Sequence, residues 1–163
     1  MHDQSVAVFD HFLGVLSAIL AKAEAHCEAR RIDPAALLGF RLFPDMFSLT
    51  RQVQLASDFA KGAAARLSGV ANPAMPDTEA TFAELQDRIA RTRAFLATVT
   101  PAMVAGAETR MVTFRTGGQD MTLPGQTYLS RVALPNFFFH LATAYNILRH
   151  NGLELGKRDF IGY

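Results

Sequence analysis

The sequence places one histidine, His140, inside an aromatic-rich segment that runs from Leu134 to Gly152. Asn136 lies four residues before it, so in a helix the two side chains share one face, one turn apart. An imidazole beside a carboxamide could hydrogen-bond a small ligand or contribute to a metal site. No second histidine and no carboxylate lies three or four residues from His140, so the segment alone gives an incomplete metal site.

A metal site between helices needs at least three convergent His, Asp, Glu or Cys ligands. His11 and His26 are fifteen residues apart, or roughly 22 Å along a helix, and cannot bind one ion together. Partners for His140 would therefore come from another helix, where a polar row has the spacing of one helix face. The same row is equally typical of a solvated surface, and both interpretations stay open. The row consists of Arg51, Gln54 and Asp58.

Other chemistry has less support in the sequence. Cys27 is the only cysteine, and nothing near it in the sequence would activate the thiol. A single cysteine cannot form an internal disulfide, which indicates a reducing compartment such as the cytoplasm. The Gly117-Gly118 pair lacks the spacing of a phosphate-binding loop and suits a turn.

Composition narrows the class of protein. The 163 residues include 16 basic and 15 acidic side chains, a balance that gives no electrostatic reason to expect nucleic acid or an anionic membrane as partner. No basic segment followed by an apolar run opens the chain, and we expect a cytoplasmic protein that does not span a membrane. The length and the apolar half of the composition predict one domain, 1–163, with a substantial core.

Apolar periodicity predicts four long helices, at about residues 4–30, 45–67, 77–100 and 127–150. Thr78 and Thr81 compete as the cap of the third. Pro135 predicts either a kink in the last helix or its true start. Between the third and fourth helices, alternation around Gly117-Gly118 predicts a small β-hairpin within about residues 110–123. The predicted fold is all-α: an up-and-down-type four-helix bundle with this hairpin before the last helix.

Two strings add a resemblance, LGFRLFPDMFSLTRQVQLASDFAKGAAARLSG and LPNFFFHLATAYNILRHNGLELGKRDFIG. They resemble a bacterial family of unknown function that looks like a branch of the DinB/YfiT-like superfamily of metal-dependent enzymes. The resemblance covers nearly the whole chain and implies a four-helix bundle with an insertion before the last helix. It also implies bundles that pair through helix faces, which fits a homodimer and the wide apolar arc of the first helix.

Members of that superfamily resemble one another in a histidine triad, with one histidine from the second helix and two, four residues apart, from the last. The resemblance places His140 at the final position, twelve residues before Gly152, Asn136 at the other last-helix position, and Gln54 at the second-helix position. Only His140 is a histidine, and amides are poor ligands for zinc or nickel. A divalent metal at His140 is therefore an alternative to a hydrogen-bonded network of the three side chains.

Three functions remain open from the sequence. The first is a protein with a small-molecule cleft around Gln54, Asn136 and His140 and a degenerate metal site. The second is a divalent-metal-dependent enzyme, a thiol-dependent transferase or hydrolase, as the resemblance implies. The third is a non-catalytic protein that acts through protein contacts as a dimer. In the first case we expect the imidazole of His140 to point inward, within reach of Gln54.

Overall fold

A computed structural model describes residues 1–163, and most of the chain is helical. Four long helices enclose the core and three short ones connect or cover them. The long helices are α1 (Val6–Arg30), α3 (Leu49–Ser68), α4 (Phe82–Thr98) and α6 (Leu134–His150). The short helices are α2 (Pro34–Leu38), α5 (Gly125–Tyr128) and α7 (Lys157–Ile161).

The apolar arc of α1 is buried by packing within the chain. Phe9 and Leu13 are fully buried, and Phe12 packs on the rings of Phe138 and Phe160. The sequence argument that this arc leaves surplus surface for a second copy is therefore wrong, because α4, α3 and the C-terminal tail cover it. The segment His2–Arg30 is long and apolar enough to cross a membrane by length and composition alone, but its apolar side chains build the core.

The starts of α3 and α4 correct two predicted boundaries. Ser48 is the N-cap of α3, so this helix begins four residues later than the predicted residue 45. Thr81 is the N-cap of α4: its side chain accepts a hydrogen bond from the backbone N–H of Glu84, and the Glu84 carboxylate accepts one from the backbone of Thr81. This reciprocal capping box decides between Thr78 and Thr81 in favour of the second.

The predicted hairpin is confirmed, with strands β1 (Met111–Thr116) and β2 (Gln119–Pro124) in antiparallel register. Gly117 and Gly118 both have positive φ, 56° and 80°, as a two-residue hairpin turn of type I′ requires. β1 turns Phe114 inward against the ring of Tyr128, with 5.1 Å between centroids. A lone hairpin is marginally stable in water, so its contacts with α3 and α5 hold it in place.

The last long helix is interrupted just before the aromatic segment. Leu129–Ala133 forms a π-helical turn between α5 and α6, and Pro135 lies in the first turn of α6. A proline has no N–H to continue an α-helical ladder, and the wider π turn accommodates this loss without ending the helix. Of the two alternatives predicted for Pro135, the start of the helix fits because α6 begins at Leu134. An interrupted but continuous helix also fits, because the helical path runs from α5 through the π-helical turn into α6.

α3 lies at the centre of the helix packing. It packs against both α6 and α4, while α1 packs mainly against α4. The C-terminal segment returns over α1, where Nε2 of His11 hydrogen-bonds the carbonyl of Ile161 at 2.8 Å and Lys22 pairs with Asp159. The α3–α6 contact brings His140 against α3, and the α3–α4 contact brings the polar row of α3 against α4.

Candidate functional site

His140 lies on α6 at the contact with α3 and is 6% exposed. Its ring stacks on Phe59 of α3, with 5.5 Å between centroids and 18° between the planes. Phe139, which is exposed, meets the same imidazole edge to face at 5.2 Å. The imidazole is therefore held between aromatic rings from two directions, which fixes its orientation.

A hydrogen bond to Gln52 determines which nitrogen of His140 carries the proton. The Nε2 group of Gln52 donates to the backbone carbonyl of Phe47 at 3.2 Å, which turns the Oε1 atom of Gln52 toward His140. That Oε1 lies 2.8 Å from Nδ1 of His140. An amide oxygen can only accept, so Nδ1 must carry the hydrogen and Nε2 of the neutral ring must hold a lone pair.

The Nε2 atom of His140 has no hydrogen-bond partner in the protein, and it is not among the buried polar atoms that lack one. It therefore reaches solvent. His140 is 6% exposed and lines none of the five clefts described for the surface, so solvent reaches this lone pair through a narrow opening. The site offers one hydrogen-bond acceptor surrounded by aromatic walls.

The pKa of His140 is lowered to about 4, first because burial disfavours the imidazolium and second because the positive charge of Arg51 is close. At neutral pH the imidazole is therefore uncharged. A ring with this pKa accepts hydrogen bonds but is a weak base, whereas efficient general bases have pKa values near the working pH.

The predicted contact between His140 and Gln54 is replaced by the contact with Gln52. Two residues apart on a helix, Gln52 and Gln54 point about 200° away from one another around the axis. Gln52 faces α6, and Gln54 faces the segment before α4, where its Nε2 donates to Glu79 at 2.9 Å. The superfamily resemblance found the correct helix turn but the wrong side chain.

Asn136 lies one turn before His140 on α6, as expected, but it does not join the same network. Its Nδ2 donates to the carbonyl of Val132 on its own helix at 2.7 Å. This bond ties the side-chain amide of Asn136 to the π-helical turn that precedes α6. Asn136 therefore supports the local backbone and offers only its oxygen to a ligand.

The polar row of α3 is part of a partly buried ion cluster and is not simply a solvated face. Arg51 donates to Oε1 of Gln54 at 3.2 Å and pairs with Asp77, in the segment before α4. Gln54 is only 5% exposed. Asp58 accepts from Arg88 of α4 at 2.8 Å. The row therefore ties α3 to α4 and to the connection between them.

Arg88 is the centre of the cluster and is fully buried. Its guanidinium lies 2.9 Å from Glu79, 3.0 Å from Asp77 and 2.8 Å from Asp58. Burial alone would lower the pKa of Arg88, but the hydrogen bond with Glu79 and the carboxylate charges raise it. Its Nε atom is buried without a partner, as is the hydroxyl of Ser57.

Glu79 is the most buried carboxylate of the cluster. Burial alone would raise its pKa, but hydrogen bonds from Arg88, from its own backbone N–H and from Gln54 outweigh this and lower it. Glu79 is therefore ionised when the protein is folded. A charged carboxylate and a charged guanidinium in direct contact describe a structural clamp, since neither is a spare acid or base.

The donor set does not fit a bound divalent metal. Nowhere in the chain do three His, Cys, Asp or Glu side chains come close enough to hold one ion. Around His140, the three positions given by the resemblance are one imidazole and two amides. Asn136 is bonded to its own helix, and Gln54 to Glu79 and Arg51. Zinc and nickel sites of this type use imidazole, thiolate or carboxylate ligands.

Sequence reasoning missed Gln52, Glu79 and Arg88, although two of them carried a signal. Gln52 falls on the apolar stripe of α3, three residues after Leu49 and four before Ala56. Arg88 follows the inward-facing Leu85 by three residues on α4. A polar side chain on an apolar stripe predicts a buried partner, because an unpaired one is costly to bury. Glu79 lies in a segment without periodicity and had no such signal.

The comparisons with known proteins agree with this architecture. A family model described as a domain of unknown function, DUF1993, matches residues 1–161. The chain is also similar to a DinB family member protein from Shewanella denitrificans, with a crystal structure at 1.83 Å resolution. The two share 42% sequence identity at a TM-score of 0.93, covering 99% of this chain and 92% of that one. No curated protein matches the chain.

Proposed function

The chain belongs to the DUF1993 family, and from this we propose that it is a small-molecule-binding protein on a DinB-type scaffold, with His140 as its recognition residue. In this proposal the position where the superfamily resemblance implies a metal is a hydrogen-bonding site. The ligand carries a hydrogen-bond donor that meets Nε2 of His140. It also has an apolar or aromatic body that packs on the surrounding rings.

One observation carries the proposal: the carbonyl of Phe47 orients Gln52, and Gln52 orients His140. A buried histidine that served only packing would not need a second residue to fix the direction of its ring nitrogens. Here Nδ1 is satisfied and Nε2 faces outward with its lone pair. Fixed acceptors of this kind give a ligand site its orientation and specificity.

A catalytic metalloenzyme, the thiol-dependent transferase or hydrolase of the second hypothesis, has less support. Such an enzyme needs three ligands, and His140 has no imidazole, thiolate or carboxylate companion. Cys27 does not supply a reactive thiol, because it is buried and burial raises its pKa above the usual value. The metal-free ligand site is therefore the better proposal.

We keep the homodimer as a second proposal, moved from α1 to the face around the His140 site. Phe47 and Phe139 are 51% and 57% exposed. Exposed aromatic side chains near one another are typical of protein contacts. Phe47 and Phe139 contact Gln52 and His140 respectively, so a partner on this face would also cover the ligand site.

The finer features of the scaffold belong to the same proposal. We infer a DinB-type four-helix bundle in which α3 packs between α4 and α6, supported by the helix contacts and by the TM-score of 0.93. We also infer a cytoplasmic protein, supported by the single free thiol of Cys27, which is typical of a reducing compartment. Neither inference depends on the ligand.

The experiment that tests the ligand site compares phenol with anisole. Phenol has an O–H donor on an aromatic body, and anisole has the same body with the donor replaced by a methyl ether. Each is titrated into protein labelled with ¹⁵N at histidine, and the Nε2 and Nδ1 resonances of His140 are followed by NMR. We expect phenol, and not anisole, to shift Nε2, and the shift to be absent in His140→Phe.

A second arm of the same experiment addresses the metal. Zinc and nickel chloride are titrated into protein without a histidine tag, and the melting temperature is followed. We expect little change, since one imidazole makes a weak site. A large rise that His140→Phe abolishes would restore the metalloenzyme alternative.

Equal shifts of Nε2 by phenol and anisole would contradict the donor-specific site.

A further inference from the structure

A second feature of α3 lies beside the His140 site, on the other side of Phe59, whose ring stacks on His140. It is a cleft of about 290 Å³ between the C-terminal half of α3 and the segment that follows it. One side of the cleft is apolar and the other carries charged and amide groups. Its lining residues are Leu55, Asp58, Phe59, Lys61, Arg66 and Asn72.

Arg66 is held over this cleft without a carboxylate. None of the ion pairs of the protein includes it. Its Nη1 instead donates to the hydroxyl of Tyr128 at 3.2 Å, and the guanidinium carbon lies 6.0 Å from the centre of the Tyr128 ring. An arginine fixed by a neutral phenol keeps its full positive charge and several unused donors.

Gly62 makes this position of Arg66 possible. A Cβ atom added at Gly62 would lie 2.7 Å from Nη1 of Arg66, so with any larger residue there the guanidinium would have to move from its present position. The next three residues of α3 are alanines, which favour a helix more than glycine by about 1 kcal/mol each. Gly62 therefore lowers the helix propensity of α3 at this position, and the placement of Arg66 gives a reason for a glycine there.

Lys61 provides a second cation at the cleft. Its side chain is 8% exposed, and its ammonium contacts one carboxylate, Asp58, at 3.2 Å. The same Asp58 oxygen accepts from Arg88 at 2.8 Å, so its charge is shared between two cations. Of the residues that line the cleft, Lys61 and Arg66 are cations and Asp58 is a carboxylate. The cleft therefore keeps an excess positive charge.

We propose that this cleft binds a small oxyanion carried on an apolar body, of the aryl carboxylate or aryl phosphate type. The anionic group meets Arg66 and Lys61, and the amide of Asn72 is the neutral donor beside them. The apolar body packs on Leu55 and Phe59. Two cations and a neutral donor above an apolar wall form a recognisable site for such ligands. This site shares the ring of Phe59 with the His140 site. Its anion-binding groups, Arg66 and Lys61, use neither Nε2 of His140 nor the bond to Gln52, so anion binding and the proposed function above can fail separately.

The test titrates benzoate, phenyl phosphate and benzamide into the whole protein. Benzamide has the shape of benzoate without its charge. The side-chain Nε–H of Arg66 and the side-chain amide of Asn72 are followed by NMR. We expect saturable shifts with benzoate or phenyl phosphate and none with benzamide. The tighter of the two anions identifies the carboxylate or the phosphate as the ligand group.

Three variants connect the binding to the geometry. Arg66→Gln should weaken anion binding at least about tenfold, as expected when a charged hydrogen-bond donor is lost. Gly62→Ala should also weaken anion binding, because the added methyl group displaces the guanidinium of Arg66. This substitution changes no charge and places a helix-favouring residue in α3. Arg91→Gln is the matched control, since Arg91 is exposed and pairs only with Asp87 on its own helix. Equal binding of benzamide, or unchanged binding in both Arg66→Gln and Gly62→Ala, would show a solvated groove and overturn the proposal.

Discussion

The Nδ1 atom of His140 lies 2.8 Å from the Oε1 atom of Gln52, and this bond connects α6 to α3 at the candidate site. Gln52 is itself fixed by the carbonyl of Phe47, so the state of the imidazole is set by backbone that precedes α3. The direction of each bond follows from what each group can donate. The lone pair on the outer nitrogen of His140 is the result, and two predictions test it.

The first prediction concerns Gln52. In Gln52→Leu, Nδ1–H of His140 loses its acceptor while the ring stays buried, which should cost about 1–3 kcal/mol of unfolding free energy. The ¹⁵N shifts of His140 should also change from a single tautomer to a mixture. Denaturant unfolding and long-range ¹H–¹⁵N NMR measure the two effects. Gln126→Leu is the control, because Gln126 is exposed and its side chain makes no hydrogen bond. A single unchanged tautomer in Gln52→Leu would contradict the assignment.

The second prediction is a pH dependence from His140. The pKa is about 4 in the folded protein against 6.5 for an ordinary histidine, so between these values the unfolded chain binds a proton that the folded protein does not. Stability should therefore fall as pH drops from about 6.5 to about 4. The contribution is roughly 3 kcal/mol at most, at 1.36 kcal/mol per pKa unit.

Urea unfolding at several pH values measures this effect by comparison with His140→Phe, which cannot titrate. The unfolding free energy of the wild type minus that of His140→Phe should be constant above pH 7. It should fall as the pH drops from about 6.5 to about 4, because only the wild-type protein loses stability from this titration. Acid-sensitive carboxylates such as Glu79 are present in both and cancel. A difference that stays constant from pH 7 to pH 4 would mean that the imidazole is protonated normally.

Helix periodicity and turn chemistry predicted most of the scaffold. The type of every long element and the hairpin at Gly117-Gly118 follow from local patterns that packing then confirms. The site was harder, because its contacts join residues far apart in the chain. His140 and Gln52 are 88 residues apart, and a superfamily resemblance could assign the helix but not the correct one of two nearby glutamines. The spacing of residues along a helix does not show which partner the side-chain amide of a glutamine contacts.

The ion cluster shows the same limit. Asp58 was predicted correctly as a polar residue on one helix face, and the sequence left a solvated face and a site partner equally open. The answer depended on Arg88 of α4, which lies 2.8 Å away and is fully buried. The pairing follows from how α3 packs on α4, which is a property of the whole core and has no local signature.

The third prediction concerns that arginine. Arg88→Met removes the cation from three carboxylates and leaves Glu79 buried without its partner, which should destabilise the protein by about 3–5 kcal/mol. Arg91→Met, on the exposed face of the same helix, should change stability by less than about 0.5 kcal/mol. Thermal and urea unfolding measure both. Adding Glu79→Gln to Arg88→Met should recover part of the loss, because it removes the unpaired charge. Equal stability of the two arginine variants would exclude a clamp.

The fourth prediction concerns self-association. If the exposed aromatic face around the site is a dimer contact, the wild-type protein should have the mass of a dimer by light scattering at tens of micromolar. Phe139→Glu should then give a monomer, because the side chain is exposed and a charge there would be buried by the partner. Tyr163→Glu, at a still more exposed aromatic residue at the C-terminus, is the control and should leave the mass unchanged. A wild-type monomer would exclude a stable dimer.

The fifth prediction concerns Gly125, the first residue of α5. A Cβ atom there would lie 2.0 Å from the carbonyl oxygen of Ala107 and 3.1 Å from the side chain of Leu67. The nearest atom belongs to backbone and cannot turn aside, so Gly125→Ala must move α5 away from the segment around Ala107 that precedes the hairpin. We expect a loss of at least about 1–3 kcal/mol by urea unfolding, as for other overpacked core sites. Gly156→Ala is the matched control: its added Cβ would meet nothing closer than 3.8 Å, and we expect less than about 1 kcal/mol of change. If the two variants unfolded at the same urea concentration, the close approach of α5 to Ala107 would be wrong.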